Sequence, residues 1–183
     1  MAPATNFWIR WRVRIGYPVA LVYLALSRPT PKWLIIGGAI GVAGLAIRAW
    51  AAGHLRKHQA LAVGGPYAFT RNPLYFGSVI LAGGFMVAGR SIWAAIVVAG
   101  YLTLFYPAVM KREEAELRTH YGEAFQRYAS GVPLFWPRFR SVASGGKSEA
   151  FSTALYRKNR EYQAAIGFVL GLLVLWVRMR WLP

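Results

Sequence analysis

The chain contains no cysteine and no aspartate, and only six of its 183 residues are acidic. Without cysteine it has no disulfides, no thiolate metal ligands and no thiol nucleophile. Without aspartate it has no Ser-His-Asp triad, and it also lacks a phosphate-binding P-loop and the G-x-G-x-x-G dinucleotide fingerprint. Its chemistry must therefore use arginine, tyrosine, histidine and a few glutamates.

Positive charge is abundant: the net charge is +16, while 56% of the residues are hydrophobic and eight are tryptophan. The basic residues flank apolar runs, as expected of side chains that meet anionic lipid headgroups. This distribution predicts contact with membrane lipids and no nucleic-acid partner. The first residues lack the cleavage pattern of a secretory signal, so we expect them to remain attached.

Apolar residues form five segments that are plausible membrane spans when compared with the roughly 20 residues that a spanning helix needs, although the third is short. They lie at about 13–27, 33–53, 74–89, 91–110 and 162–179. The second carries Arg48, which is costly in hydrocarbon unless it faces a polar cavity or reaches the interface. The last could instead be a tilted or interfacial helix. Glycines in the second and third segments, such as Gly44 and Gly84, are expected to allow close helix packing.

Residues 111–128 continue the fourth segment as an amphipathic helix, because Glu114, Leu117 and Tyr121 follow one helical ridge. Residues 128–139 contain Pro133 and Pro137 and predict an irregular interfacial segment, followed by a linker at 141–148. The predicted fold is an all-α, polytopic bundle of about five transmembrane helices. We expect a single integral-membrane domain over residues 1–183, with both polar clusters in the cytoplasm and the C-terminus outside.

The first polar cluster spans residues 64–77. Gly64 and Gly65 permit close approach of a ligand, although Gly-Pro pairs also mark simple turns. Asn72 and Pro73 are typical of the N-cap and first position of a helix. Arg71 has no such structural need, and beside a helix N-terminus it favours binding of a carboxylate or phosphate.

The second cluster, Glu113 and Glu114, follows the fourth apolar segment. One reading is a solvated helix face, with ion pairs between Glu114 and Arg118 or between Arg112 and Glu116. The other is a carboxylate pair that meets Arg71 and binds a ligand with both positive and negative groups. His54 and His58 are four residues apart and could share a helix face, but no acidic ligand lies near them in the sequence, so no metal site is predicted for them or for His120.

Taken together, these motifs resemble the isoprenylcysteine carboxyl methyltransferases and the wider group that includes the phospholipid N-methyltransferases. The resemblance covers about residues 48–139 and rests on Leu61–Tyr67, Arg71–Gly77, Glu113–Leu117, Tyr121–Phe125, Tyr128 and Val132-Pro133. Many members have histidine where this chain has Asn72. The linker and last helix, 140–183, lie outside the resemblance.

The resemblance implies an integral-membrane methyltransferase that uses S-adenosylmethionine and takes a lipid-like acceptor, an isoprenylcysteine-type carboxylate or a phospholipid amine. The catalytic residues would be Arg71, Glu113 and Glu114. The cofactor site would comprise Gly65, Pro66, Tyr67, Arg71, Asn72, Pro73, Tyr75, Gly77, Glu113 and Glu114. Two alternatives remain open: a non-catalytic scaffold or small-molecule carrier with the same fold, and an interfacial lipid binder that uses only its basic patches.

Overall fold

The structure, a computed structural model, describes residues 4–56, 59–138 and 150–181, with side chains from residue 11 onward. The described residues are helical, with no strand among them, so the predicted all-α class is confirmed. The helices are α1 (Ala4–Leu26), α2 (Pro31–Ala52), α3 (Pro73–Gly89), α4 (Ile92–Gly131), α5 (Thr153–Lys158) and α6 (Tyr162–Trp181), with a short 3-10 helix at Gly65–Ala68.

Each of the five apolar segments lies in a helix, but only α2, α4 and α6 are long and apolar enough to cross a membrane among the residues described. α3 is apolar but has 17 residues. At about 1.5 Å per residue it covers about 25 Å, less than the roughly 30 Å hydrocarbon core of a bilayer. In α1, Arg12 and Arg14 shorten the apolar part. The predicted bundle of about five apolar helices is confirmed, although α3 is shorter than α2, α4 and α6.

α2 and α3 pack so closely that their glycines are required. A Cβ on Gly44 would lie 2.5 Å from the Leu81 nitrogen, and one on Gly84 would lie 2.5 Å from the Gly37 carbonyl oxygen. Such close approach is how small residues join helices in membranes, where the hydrophobic effect does not drive association. Of the glycines expected to pack helices, Gly37, Gly44 and Gly84 lie in the contact between α2 and α3, whereas Gly83 does not.

α4 is a single element of 40 residues that leaves the apolar bundle and continues as the predicted amphipathic helix. Its backbone is non-helical at one residue, Gly122, where φ is 49° and ψ is −121°. Beyond this kink the helix continues to Gly131, so the prediction that an irregular segment starts at Tyr128 was wrong by about one turn. The two prolines that suggested it, Pro133 and Pro137, lie after the helix end. Phe139 and the linker 141–148 lie outside the described residues.

The last helix runs the length of the bundle from one end to the other. Glu161, just before α6, lies next to Arg48 near the end of α2, whereas Arg178 near the end of α6 donates to the carbonyl oxygens of Ser27 and Ala25, at 2.9 Å each. α6 therefore runs from the end of the bundle that holds the end of α2 and the start of α3 to the opposite end.

The neighbouring glycines of α3 provide a test of the α2–α3 contact. We expect Gly84→Ala to destabilise the protein by about 1–3 kcal/mol, because the added methyl group overpacks a tight interface. Gly83→Ala is the matched control, since a Cβ at Gly83 meets nothing within 4 Å. Thermal unfolding in detergent measures both; equal midpoints would show that the close contact contributes nothing.

Candidate active site

A cavity of about 1020 Å³ opens at the end of the bundle where α2 ends and α3 begins. Its walls come from α1, α2, α3, α4 and the turn before α6. Four of the six glutamates in the chain line it, namely Glu113, Glu114, Glu116 and Glu161. A chain so poor in carboxylates has thus placed most of them around one cavity, where they can bind or position a charged ligand.

The two predicted clusters meet in this cavity. Arg71 Nε lies 2.9 Å from Glu114 Oε1, with side chains that are 16% and 19% exposed. The two atoms are not aligned for a hydrogen bond, so the contact is an ion pair. Partial burial makes such a pair stronger than one on an open surface. Glu114 therefore pairs with Arg71 and not with Arg118, whereas the expected pair between Arg112 and Glu116 is present, at 2.7 Å.

A second contact joins the same two helices. Tyr75, one turn after Arg71, donates its hydroxyl to Glu113 Oε1 at 2.7 Å. The Tyr75 ring lies edge-on to that of Tyr106, with centroids 5.2 Å apart. Arg71 and Tyr75 of one segment therefore face Glu114 and Glu113 of the other, and two carboxylates, a guanidinium and aromatic rings share one wall of the cavity.

The segment after α4 is hydrogen-bonded to the three residues that precede α3. Arg71 N donates to the Pro133 carbonyl at 2.9 Å, and the buried Thr70 donates its hydroxyl to the Phe135 carbonyl at 2.9 Å. Asn72 occupies the N-cap position, as expected, but its side chain does not cap the helix. It donates instead to the Leu134 carbonyl at 3.0 Å. The Asn72 side chain thus joins the start of α3 to the segment that follows α4.

Tyr67 lies buried at the back of the cavity, and its carbonyl oxygen accepts a hydrogen bond from the Tyr128 hydroxyl at 2.7 Å. Burial raises the pKa of Tyr67 far above its ordinary value, and the nearby Tyr128, Glu113 and Glu161 raise it further. The Tyr67 hydroxyl is therefore protonated throughout the physiological range and can donate a hydrogen bond.

Not every residue expected to bind the cofactor lines the cavity. Tyr67, Arg71, Asn72, Pro73, Tyr75, Glu113 and Glu114 line it, whereas Gly65, Pro66 and Gly77 do not. Gly65 has a positive φ of 55°, and a Cβ there would touch the ring of His54. Gly77 faces α2, where a Cβ would lie 2.8 Å from the Gly44 carbonyl oxygen. These glycines have packing roles that the sequence motif alone does not distinguish from ligand contact.

The structure adds a group that the sequence reasoning missed. Arg48 faces the cavity, as its position in an apolar helix required, and its Nε lies 2.5 Å from Oε1 of Glu161. Arg48 Nη1 also contacts the hydroxyl of Ser78. The sequence does show that Arg48 and Glu161 have opposite charges and that each lies near the end of an apolar segment. Nothing in the sequence showed that these two segments are neighbours.

No group of three or more metal-ligating side chains occurs within residues 4–56, 59–138 and 150–181. His54 Nδ1 lies 2.9 Å from the Trp50 carbonyl oxygen, one turn earlier. His120 lines the cavity, and His58 lies outside the described residues.

These features define a class: an all-helical membrane protein with a charged cavity at one end of its bundle. Residues 35–124 match the phospholipid methyltransferase family, and the chain belongs to this family of membrane methyltransferases. It is 30% identical to the cobalt-zinc-cadmium resistance protein CzcN of Cupriavidus metallidurans over 81% of this chain and 71% of that protein. It is 32% identical to the nickel-cobalt-cadmium resistance protein NccN of Alcaligenes xylosoxydans xylosoxydans, over 78% and 74%. No solved structure matches the chain.

Thr70 tests how the site is anchored. We expect Thr70→Val, which keeps the shape but removes the hydroxyl, to destabilise the protein by about 1–3 kcal/mol, because the partly buried Phe135 carbonyl loses its donor and the Asn72 backbone N–H loses its acceptor. Thr103→Val is the control, since Thr103 is exposed and bonds only within its own helix. Unfolding midpoints in detergent compare the two, and a cost at Thr103 as large as at Thr70 would contradict this assignment.

Proposed function

We propose that the protein transfers a methyl group from S-adenosylmethionine to a lipid-like acceptor in the membrane, at a cavity that faces the cytoplasm. The observation that carries the proposal is the meeting of Arg71 with Glu114 and of Tyr75 with Glu113 in one cavity. Residues about forty positions apart in sequence bring charges of both signs to one place. The proposed donor needs this combination, because it is itself cationic at two groups and anionic at one.

The residues present fit this cofactor. Glu113 and Glu114 suit its sulfonium and ammonium groups, and Arg71 suits its carboxylate. Tyr67, Tyr75 and Tyr121 offer aromatic faces for the adenine and for cation–π contact. A cavity of about 1020 Å³ is at the upper end of the roughly 300–1,000 Å³ common for small-molecule sites. It has room for the donor and part of an acceptor.

The donor, when bound, supplies a methyl group that is activated by the positive charge on sulfur. The residues of the chain need not form a covalent bond to the acceptor, because their main task is to hold the two reactants in line and exclude water. Arg71 and Glu114 neutralise each other before binding, so two buried charges are not left unpaired. On binding, the carboxylate of the donor would pair with Arg71 and a cationic group of the donor would pair with Glu114.

Three residues are proposed as catalytic: Arg71, Glu113 and Glu114. Arg71 and Glu114 orient the donor, and Glu113 is held by the Tyr75 hydroxyl at the same wall. An amine acceptor must lose a proton before or during transfer, and a glutamate of this wall is the suitable base. A carboxylate acceptor needs no base.

The relatives are named for resistance to metals, and those names state no reaction. For this chain, membership of the methyltransferase family and the charged cavity favour chemistry on a lipid of the membrane. Resistance in the relatives is compatible with an altered membrane lipid, and this link is part of the proposal rather than of their names.

Binding of the donor can be measured on the purified protein by calorimetry. We expect Glu114→Gln to weaken S-adenosylmethionine binding by about tenfold or more, because a hydrogen bond to a charged group contributes about 1.5–3 kcal/mol. The control is Glu123→Gln, which removes an exposed glutamate that does not line the cavity. A Glu114→Gln variant that binds as tightly as the unchanged protein would contradict the assigned role.

Transfer can be measured by incubating the protein with labelled methyl donor and a panel of isoprenylcysteine, phospholipid and amine lipids, followed by mass analysis of the product. We expect label in one lipid class and its loss in Glu114→Gln. Absence of both donor binding and labelled lipid would refute the proposal. Donor binding without any transfer would favour a carrier with the same fold, in keeping with Asn72 in place of the common histidine.

A further inference from the structure

A second polar cluster lies in the same cavity, formed by Arg48 of α2, Ser78 of α3 and Glu161 before α6. Arg48 Nε pairs with Glu161 Oε1, and Nη1 contacts the Ser78 hydroxyl and lies 3.4 Å from the Leu74 carbonyl oxygen. Glu161 is 8% exposed. A cation held by three groups from two other elements has a defined orientation, unlike an arginine at an open interface.

This cluster lies deeper in the bundle than the wall of Arg71 and Glu114. Arg48 comes four residues before the end of α2 and Ser78 five residues after the start of α3. At about 1.5 Å per residue, both lie about 6–8 Å inside the helix ends. Arg71 lies before α3 begins. The cavity therefore has two levels, and in the proposed membrane arrangement the deeper one is nearer to the lipid tails.

The turn that delivers Glu161 is itself fixed to α2. Asn159 Nδ2 donates to the carbonyl oxygens of Ala52 and Leu55, at 2.9 and 2.8 Å, which satisfies acceptors at the end of that helix. The Ser152 nitrogen donates to the Gly53 carbonyl at 3.0 Å. Glu161 is thus placed by hydrogen bonds to backbone carbonyls at and just after the end of α2, and these bonds do not depend on Arg48. This turn also lies beyond residues 35–124, the part that matches the methyltransferase family.

We infer that this deeper cluster binds an oxyanion, a carboxylate or phosphate, on the headgroup of the acceptor, with Arg48 as its ligand and Glu161 as the residue that positions Arg48. The inference rests on the proposed function for the identity of the bound lipid as acceptor. A guanidinium offers five N–H donors in a fork that matches both kinds of oxyanion. Glu161 and Ser78 use those on Nε and Nη1, so the fork is held in one orientation.

The charge balance of the cavity favours an anionic headgroup over a cationic one. Arginines outnumber glutamates in its lining by five to four, and Arg12 and Arg160 line it together with Arg48. An oxyanion reduces this excess of positive charge, whereas an ammonium increases it. The apolar Leu55, Leu74 and Ala164 line the same cavity and suit the start of an aliphatic tail.

Four lipids with one C18 tail test the inference without any need for transfer: oleate, oleyl phosphate, oleyl alcohol and oleylamine. Their affinities for the full-length protein in neutral detergent micelles are measured in the absence of methyl donor. We expect oleate or oleyl phosphate to bind about tenfold more tightly than the alcohol and the amine, since a hydrogen bond between two charged groups is stronger than one to a neutral hydroxyl. The tighter of the two identifies a carboxylate or a phosphate headgroup.

Variants separate a binding role from a structural one. Arg48→Gln is expected to abolish the preference for an oxyanion, and Ser78→Ala, a milder change, to reduce it. Glu161→Gln is expected to reduce it and Glu161→Asp to retain most of it. Glu123→Gln, the exposed control, should leave it unchanged. If Glu161 only tethers α6, Glu161→Gln will weaken the binding of all four lipids equally, and that result would overturn the inference.

Equal binding of the alcohol, or preference for the amine, would also overturn it. This failure is distinguishable from failure of the proposed function. Donor binding that persists while no oxyanion preference exists refutes the deeper site alone. An oxyanion preference in a protein that neither binds nor uses S-adenosylmethionine refutes the proposed function alone, and the cluster would then be a lipid site of a non-catalytic protein.

Discussion

The ion pair between Arg71 and Glu114 is the interaction on which the site depends. It joins the residue that precedes α3 to the part of α4 that extends beyond the apolar bundle, at 2.9 Å. Charges taken out of water are costly unless they are paired, so each partner requires the other when no ligand is present. The backbone N–H of Arg71 also donates a hydrogen bond to the carbonyl of Pro133, beyond the end of α4. Arg71 therefore contacts the extended part of α4 at Glu114 and the segment that follows it at Pro133.

This arrangement requires a rigid platform, which the contact between α2 and α3 provides. Glycines at 37, 44, 77 and 84 let the two backbones approach closely. The same approach brings Arg48 of α2 alongside Ser78 of α3, so a packing feature of the apolar bundle also determines the geometry of a polar cluster. Sites on helices that are fixed by packing hold their side chains more accurately than sites on loops. The platform thus serves both levels of the cavity.

The sequence predicted what depends on local composition. Apolar length and basic flanks located α1 to α4 and α6 but not the short α5, and the scarcity of carboxylates allowed Glu113 and Glu114 to be matched with Arg71 before any contact was known. It did not predict the contact of Arg48 with Glu161, because 113 residues separate them and no periodic pattern relates α2 to α6. It also assigned the side chain of Asn72 to a helix cap. A cap would use the amide oxygen to accept from a backbone N–H of α3, whereas in the structure the amide nitrogen donates to the Leu134 carbonyl, and the position of that carbonyl depends on tertiary structure.

The two levels of the cavity differ in the origin of one residue. Arg71, Glu113 and Glu114, like Arg48 and Ser78 of the deeper level, lie within the region that matches the family, whereas Glu161 lies beyond it. A donor that is chemically constant requires a constant site, while acceptors differ in their headgroups. Under both proposals, residues within 35–124 bind the donor, and the turn before α6 adds the carboxylate that orients Arg48 toward the acceptor. A change confined to the C-terminal segment could then alter the choice of lipid without rebuilding the methyl-donor site.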